Sequence, residues 1–263
     1  MDLHDRVALV TGSSSGLGTA LAHRLAARGA VPIVHGRDGG RTAAVAGDLG
    51  AVSVVGDLAE RAPRERVVAE ALAAHGRIDL LVANAGIGWA GALAAMPEET
   101  VDALVATNLT GTMQLARSVL PGMLERGTGG LCFVTSIAGR VGVAGESVYA
   151  ATKSGVDAFA ESLRLEIRGT GIGVTVAVPG VVETPFFERR GAAYDRSSPR
   201  PLPADVVAAR IVRAIERDAG EVWTPRWLRS AAVVRAVAPS AYGGLAARFG
   251  RPVRPGRATE RTP

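Results

Sequence analysis

The sequence predicts an α/β fold, doubly wound, with a seven-stranded parallel sheet carrying helices on both faces. Three observations carry this expectation. Short apolar runs alternate with longer helical patterns from the N-terminus onward, as repeated βαβ units require. Hydrophobic residues make up 48% of the chain while aromatics reach only 4%, and this excess of Ala, Val, Leu and Gly suits buried parallel strands under closely packed helices. A length of 263 residues fits one large α/β domain better than two small ones.

The elements follow in order. The first apolar run, Val7 to Thr11, opens into the glycine-rich stretch Thr11-Gly-Ser-Ser-Ser-Gly-Leu-Gly18 and a helix expected over Gly16 to Arg28, closed by Gly29. The second strand, Val31 to His35, carries Pro32, which lacks a backbone donor and is tolerable only at a strand's first positions. Gly40 to Leu49 and Pro63 to His75 read as helices around a strand at Val52 to Val55. A fourth strand at Leu80 to Asn84 precedes a long helix, Glu98 to Arg126. Leu131 to Ser136 and Val174 to Val178 read as strands on either side of a helix at Glu146 to Arg168. Thr184 to Pro203 breaks the rhythm with prolines, charges and two adjacent Phe, and reads as a long excursion of the kind that covers a ligand site. A helix at Pro203 to Asp218 and a strand at Glu221 to Thr224 complete the pattern.

Beyond Pro225 the chain changes character. Residues 226–263 read as a C-terminal helical extension and an Arg/Pro-rich tail, with Arg251 to Pro263 expected to be disordered. Trp227, Ala231, Val234 and Ala238 would share one helical stripe beside arginines. Packing on the protein or on a neighbouring subunit is the favoured reading, and a basic amphipathic helix resting on a membrane surface is the competing one.

Charge and cysteine usage exclude several function classes. Residues 221–263 hold eight Arg against Glu221 and Glu260, so the tail is +6 and the other 220 residues are −1. The high isoelectric point describes the tail, and no nucleic-acid partner is expected. The single Cys132 cannot form an internal disulfide, the first six residues carry charge where a signal peptide is apolar, and a reducing, cytoplasmic setting is expected. The longest uncharged run, Leu80 to Pro97, contains Asn84 and several glycines, and reads as a buried strand and loop rather than a membrane span. No metal site is expected.

Gly12, Gly16 and Gly18, with Ser14, Ser15 and Leu17 between them, sit where a strand turns into a helix. Glycine there lets the backbone approach a pyrophosphate, and the helix N-terminus supplies unpaired N–H groups and partial positive charge. The pattern predicts a Rossmann-like dinucleotide site. At the end of the second strand, where an acidic residue would bind a ribose 2′-hydroxyl, the chain reads His35-Gly36-Arg37. Arg37 favours NADP(H), while Asp38 one residue later keeps NAD(H) possible.

The chain has 29 arginines and one lysine, Lys153, four residues after Tyr149. On a helix the two side chains share a face. A compact ammonium can sit beside a phenol and lower its pKa, which a rigid guanidinium fork does less well.

These residues resemble the short-chain dehydrogenase/reductase family over about residues 5–225. The resemblance rests on Thr11-Gly12-x3-Gly16-x-Gly18, Asp57-Leu58, Asn84-Ala85-Gly86, Asn108, Ser136, Tyr149-x3-Lys153, and Pro179-Gly180 with Thr184. It implies that residues 1–225 form one dinucleotide-binding and catalytic domain. It implies further that Asp57 and Leu58 contact the adenine and that Asn84, Ala85 and Gly86 support the cofactor. Pro179, Gly180, Val182 and Thr184 would touch the nicotinamide and phosphates. Ser136, Tyr149, Lys153 and Asn108 would be catalytic. Tyr149 would be the proton donor, Ser136 would orient the carbonyl, Lys153 would tune Tyr149 and hold the ribose, and Asn108 would hold a water. A homo-dimer or homo-tetramer is implied as well, although the unusual C-terminus puts the family's usual tetramer contacts in doubt.

Candidate substrate-lining residues are Trp89, Val141 to Ala144, Phe186, Phe187 and Tyr194, which suggest an apolar or aromatic carbonyl compound or alcohol. The expected function is hydride transfer between NADP(H) and that group. The alternative is a catalytically idle NADP-binding redox sensor, against which the full set of Ser136, Tyr149, Lys153 and Asn108 counts.

Overall fold

The computed structural model describes residues 1–194, 198–240 and 242–244. Its strands are β1 (Val7–Val10), β2 (Val31–Gly36), β3 (Val52–Val55), β4 (Leu80–Ala83), β5 (Gly129–Val134), β6 (Ile172–Pro179), β7 (Val182–Glu183), β8 (Leu202–Pro203) and β9 (Glu221–Thr224). Seven of them form one parallel sheet in the order β3-β2-β1-β4-β5-β6-β9, and β7 pairs with β8 in a small separate ribbon. The helices are α1 (Gly16–Ala26), α2 (Gly39–Leu49), α3 (Arg61–His75), α4 (Glu98–Leu104), α5 (Gly111–Arg126), α6 (Ile137–Arg140), α7 (Ser147–Glu166), α8 (Phe186–Arg189), α9 (Ala204–Glu216) and α10 (Leu228–Val237).

Alternation along the strands divides the core into two layers. Leu9, Ile33, Leu81 and Phe133 face α3, α5 and α7, which contribute Val67, Leu115 and Val156. Their neighbours Ala8, Val10, Val82 and Cys132 face α1 and α9, which contribute Leu21, Leu25 and Ile211. Burial pushes the Cys132 thiol up to about 12, so it stays protonated. Pro32 costs little. The N–H of Val31 donates to Arg6 on the β1 side, so residue 32 faces β3, and the β2–β3 pairing begins only at Ile33.

Two expectations need correction. The long helix over Glu98 to Arg126 is not uniform, because a π-helical turn at Val105–Thr110 separates α4 from α5. Its cause is polar: Asn108 is fully buried, and its side chain accepts from the Ile87 N–H and donates to the Ile87 carbonyl. The stripe on the C-terminal helix is also displaced. Leu228 is buried with Ala232 packed beneath α10, whereas Trp227 is 54% exposed. Leu228 decides the face, because its Cδ1 lies against Gly180, where an added Cβ would stand 2.6 Å away. No helix among the described residues is long and apolar enough to cross a membrane. The expected disorder of Arg251 to Pro263 falls outside the described residues.

Candidate active site

The strand order reverses between β1 and β4, and the loops leaving their C-terminal ends are stitched together there. The Thr11 hydroxyl accepts from the N–H groups of Asn84 and Ala85, both at 3.0 Å, and the Asn84 amide donates to the Thr11 carbonyl at 2.9 Å. Gly12 has φ +66°, and a Cβ at Gly18 would stand 2.2 Å from the Gly12 carbonyl oxygen, so the turn closes only with glycine. His35 braces this loop from beneath. The Gly12 N–H donates to His35 Nδ1 at 3.2 Å, which assigns the proton to Nε2, 3.1 Å from the Gly56 carbonyl. Burial lowers His35 to about 4, so it remains the neutral bridge.

The first turn of α1 is open to an anion. Ser15 caps the helix without a side-chain bond to its amides, and no acidic residue lies in the first turn. At the other end of the nucleotide region Arg37 reaches Asp57 at 3.3 Å and Arg41 reaches Asp38 at 3.1 Å. From here a cleft of about 630 Å³ runs across the sheet edge to Tyr149. Every cofactor-binding residue expected from the sequence lines it, as do Ser136, Tyr149 and Lys153. Asn108 does not: it lies behind the wall, bonded to Ile87 and at 3.2 Å to the Thr152 hydroxyl. The free helix amides, the glycine cradle and the flanking cations fit a dinucleotide.

Ser136 stands just past β5 as the N-cap of α6, accepting from the Ala138 N–H. Tyr149 and Lys153 share the inner face of α7. Lys153 Nζ donates to the Val134 carbonyl at 2.9 Å and lies 5.9 Å from the centre of the Tyr149 ring. The expected lowering of Tyr149 by Lys153 is not what governs the phenol here. Burial raises Tyr149 to about 12 against a hydrogen bond with Ser136, and the nearby Glu146 adds to the rise. Burial likewise lowers Lys153 to about 8, and Asp157, four residues on, opposes it. Asp157 is itself held by Arg140, at 2.7 and 3.1 Å.

An aromatic wall covers the reactive end. Phe186 packs 5.6 Å from the Tyr149 ring, followed by Phe187 and Tyr194, all lining the cleft. Val141 and Val143 line it too, but Gly142, Ala144 and Trp89 do not; Trp89 packs in a side cluster with Met96 and Phe186. Sequence reasoning missed Arg189 and Arg190, which look like ordinary charges of a loop. Arg190 is buried, paired with Glu146 and stacked on Phe187 at 4.5 Å. Leu228 was missed as well, and Ala231, expected on the packing stripe of the C-terminal helix, was not expected at the cleft, since nothing in the sequence brings α10 there.

A sequence profile described as short chain dehydrogenase matches residues 6–195. The chain is 39% identical over 190 residues to the granaticin polyketide synthase putative ketoacyl reductase 1 of Streptomyces violaceoruber, covering 70% of each. It resembles the structure of a short-chain dehydrogenase from Sphingobium yanoikuyae in complex with NADPH, with TM-score 0.79 and 28% identity over 98% of this chain and 100% of that one. It also resembles a 3-ketoacyl-(acyl-carrier-protein) reductase from Brucella melitensis complexed with NADH, with TM-score 0.78 and 27% identity over 84% of this chain and 97% of that one.

Proposed function

We propose, from the premise that this chain belongs to the short-chain dehydrogenase/reductase family, that it is an NADP(H)-dependent reductase of apolar or aromatic carbonyl compounds, or the reverse alcohol dehydrogenase. The convergence of Ser136, Tyr149 and Lys153 on a cleft that begins at the phosphate loop carries the reading. Bound there, the nicotinamide supplies or accepts the hydride. As negative charge develops on the substrate oxygen, Ser136 donates a hydrogen bond and Tyr149 delivers its proton. Lys153, whose Nζ lies 5.9 Å from the centre of the Tyr149 ring, is then the cation that makes this buried anion tolerable. Asn108 acts through position, fixing Ile87 and with it the loop that carries Gly86 beside Lys153.

Arg37 and Arg41 at the adenosine end support NADP(H) over NAD(H). The aromatic wall of Phe186, Phe187 and Tyr194 supports an apolar substrate, and the ketoacyl reductase likeness makes ketoacyl thioesters a natural part of any panel. An idle redox sensor leaves that convergence on the cleft without a use. Self-association follows from the same family reading, with Trp227, Val233 and Val237 exposed on α10 as one available face. Light scattering tests it, and vesicle sedimentation tests whether a membrane takes that face instead.

The decisive measurement is oxidation of NADPH and NADH by the purified protein across a panel of ketones, repeated with Tyr149→Phe. The variant is expected to bind NADPH as before and to lose about 10³-fold or more in kcat. An equally active variant sinks the assignment.

A further inference from the structure

Helix α8 belongs to the excursion after β6, yet it lies over the phosphate loop as well as over Tyr149. Gly16 and Thr184 meet so closely that a Cβ at Gly16 would stand 3.0 Å from the Thr184 Cβ. Five residues further on, Arg189 Nη1 and Nη2 each donate to the Ser15 hydroxyl at 3.1 Å. Arg189 therefore lines the cleft together with Ser14, Arg37 and Arg41, although it is 174 residues from Ser15 in the chain. Arg37 and Arg41 have carboxylate partners in Asp57 and Asp38. Among the described residues no carboxylate is in ion-pair contact with Arg189. Arg189 stays exposed, and partial desolvation, then the Arg41 and Arg37 guanidiniums, lower its pKa, with only the neighbouring Glu188 pulling the other way. Cations held together in this manner repel one another until an anion sits among them.

We propose that Arg189 is a specificity-determining residue, closing from the excursion onto the ribose 2′-phosphate of NADP(H) that Arg37 and Arg41 hold from the sheet side. The proposal rests on the NADP(H) reading above. A pyrophosphate also lies within the chemistry of a guanidinium beside Ser15. The nearness of Arg37 and Arg41, which flank the adenosine end, favours the 2′-phosphate.

Calorimetric titration with adenosine 2′,5′-bisphosphate and with 5′-AMP separates the two. Arg189→Ala is expected to weaken the bisphosphate about tenfold and to leave 5′-AMP within about twofold, with Arg189→Lys in between. Hydrogen exchange adds a readout independent of turnover. NADP⁺ should slow exchange in residues 184–194 of the wild-type protein more than NAD⁺ does, and the excess should vanish in Arg189→Ala. Unchanged bisphosphate binding in Arg189→Ala overturns the proposal, and an equal loss for both ligands moves Arg189 to the 5′ side and overturns it too. If the wild-type protein binds the two ligands alike, the NADP(H) reading itself falls and takes Arg189 with it. A wild-type preference that survives in Arg189→Ala removes Arg189 alone.

Discussion

Burial sets Tyr149 at about 12 and Lys153 at about 8, so each is pushed toward its neutral form. For Lys153 this has a cost in stability. The unfolded chain keeps the ammonium up to its ordinary value of 10.5, whereas the folded chain resists it from about 8. The penalty, roughly 3 kcal/mol for such a shift, is complete below pH 8 and fades as pH rises toward 10.5. Lys153→Met forfeits the bond to Val134 but escapes most of that penalty. It should make the cofactor-free protein about 2 kcal/mol more stable at pH 7 while abolishing turnover, and denaturant titrations should show the gap closing by pH 10.5. A less stable variant at pH 7 would mean that Lys153 is comfortable where it lies. The importance of this residue was legible because it stands alone among 29 arginines. The direction of its shift was not, since it depends on how completely β5, α6 and α7 close around it.

At the level of elements, periodicity placed the strands and most helices of the sheet to within a few residues, since each strand is a short apolar run buried on both faces and each helix buries one apolar face. The π-turn escaped it. A widened turn leaves the apolar spacing almost intact, and its cause is a polar match between Asn108 and Ile87, far apart in sequence. Asn108→Leu removes that match and leaves the Ile87 N–H and carbonyl without partners. It is expected to cost about 3 kcal/mol by thermal or chemical denaturation and to lower kcat more than it raises KM. A variant of wild-type stability would show that the turn holds itself. For α10 the amphipathic stripe was legible and its rotation was not, because the contact between Leu228 and Gly180 fixes it. Leu228→Ala should therefore destabilise by about 2–4 kcal/mol, whereas Trp227→Ser should change stability by less than about 0.5 kcal/mol. The reverse ranking in a thermal melt would put the sequence-derived stripe back in place.

Across the whole molecule, parallel strands bring the loops after β1, β4, β5 and β6 to one rim of the sheet, and the reversal of order between β1 and β4 opens the crevice there. The nucleotide and catalytic sides of the crevice could be read from a glycine-rich loop, an Arg after the second strand and a Tyr–Lys pair, while the strand order itself could not. The far side of the cleft could not, because it is assembled from the excursion and α10, segments without a repeating pattern. That excursion has a thermodynamic consequence. Phe186 rests on Tyr149 and Arg189 on Ser15, with only two residues of one short helix between them. A ligand that shifts Phe186 is expected to shift the balance at the phosphate loop as well, which would make the two halves of the cleft linked sites. Linkage is reciprocal. Whatever factor an unreactive substrate analogue adds to the affinity for cofactor, the cofactor must add to the affinity for the analogue, and bulky analogues should show the larger factor.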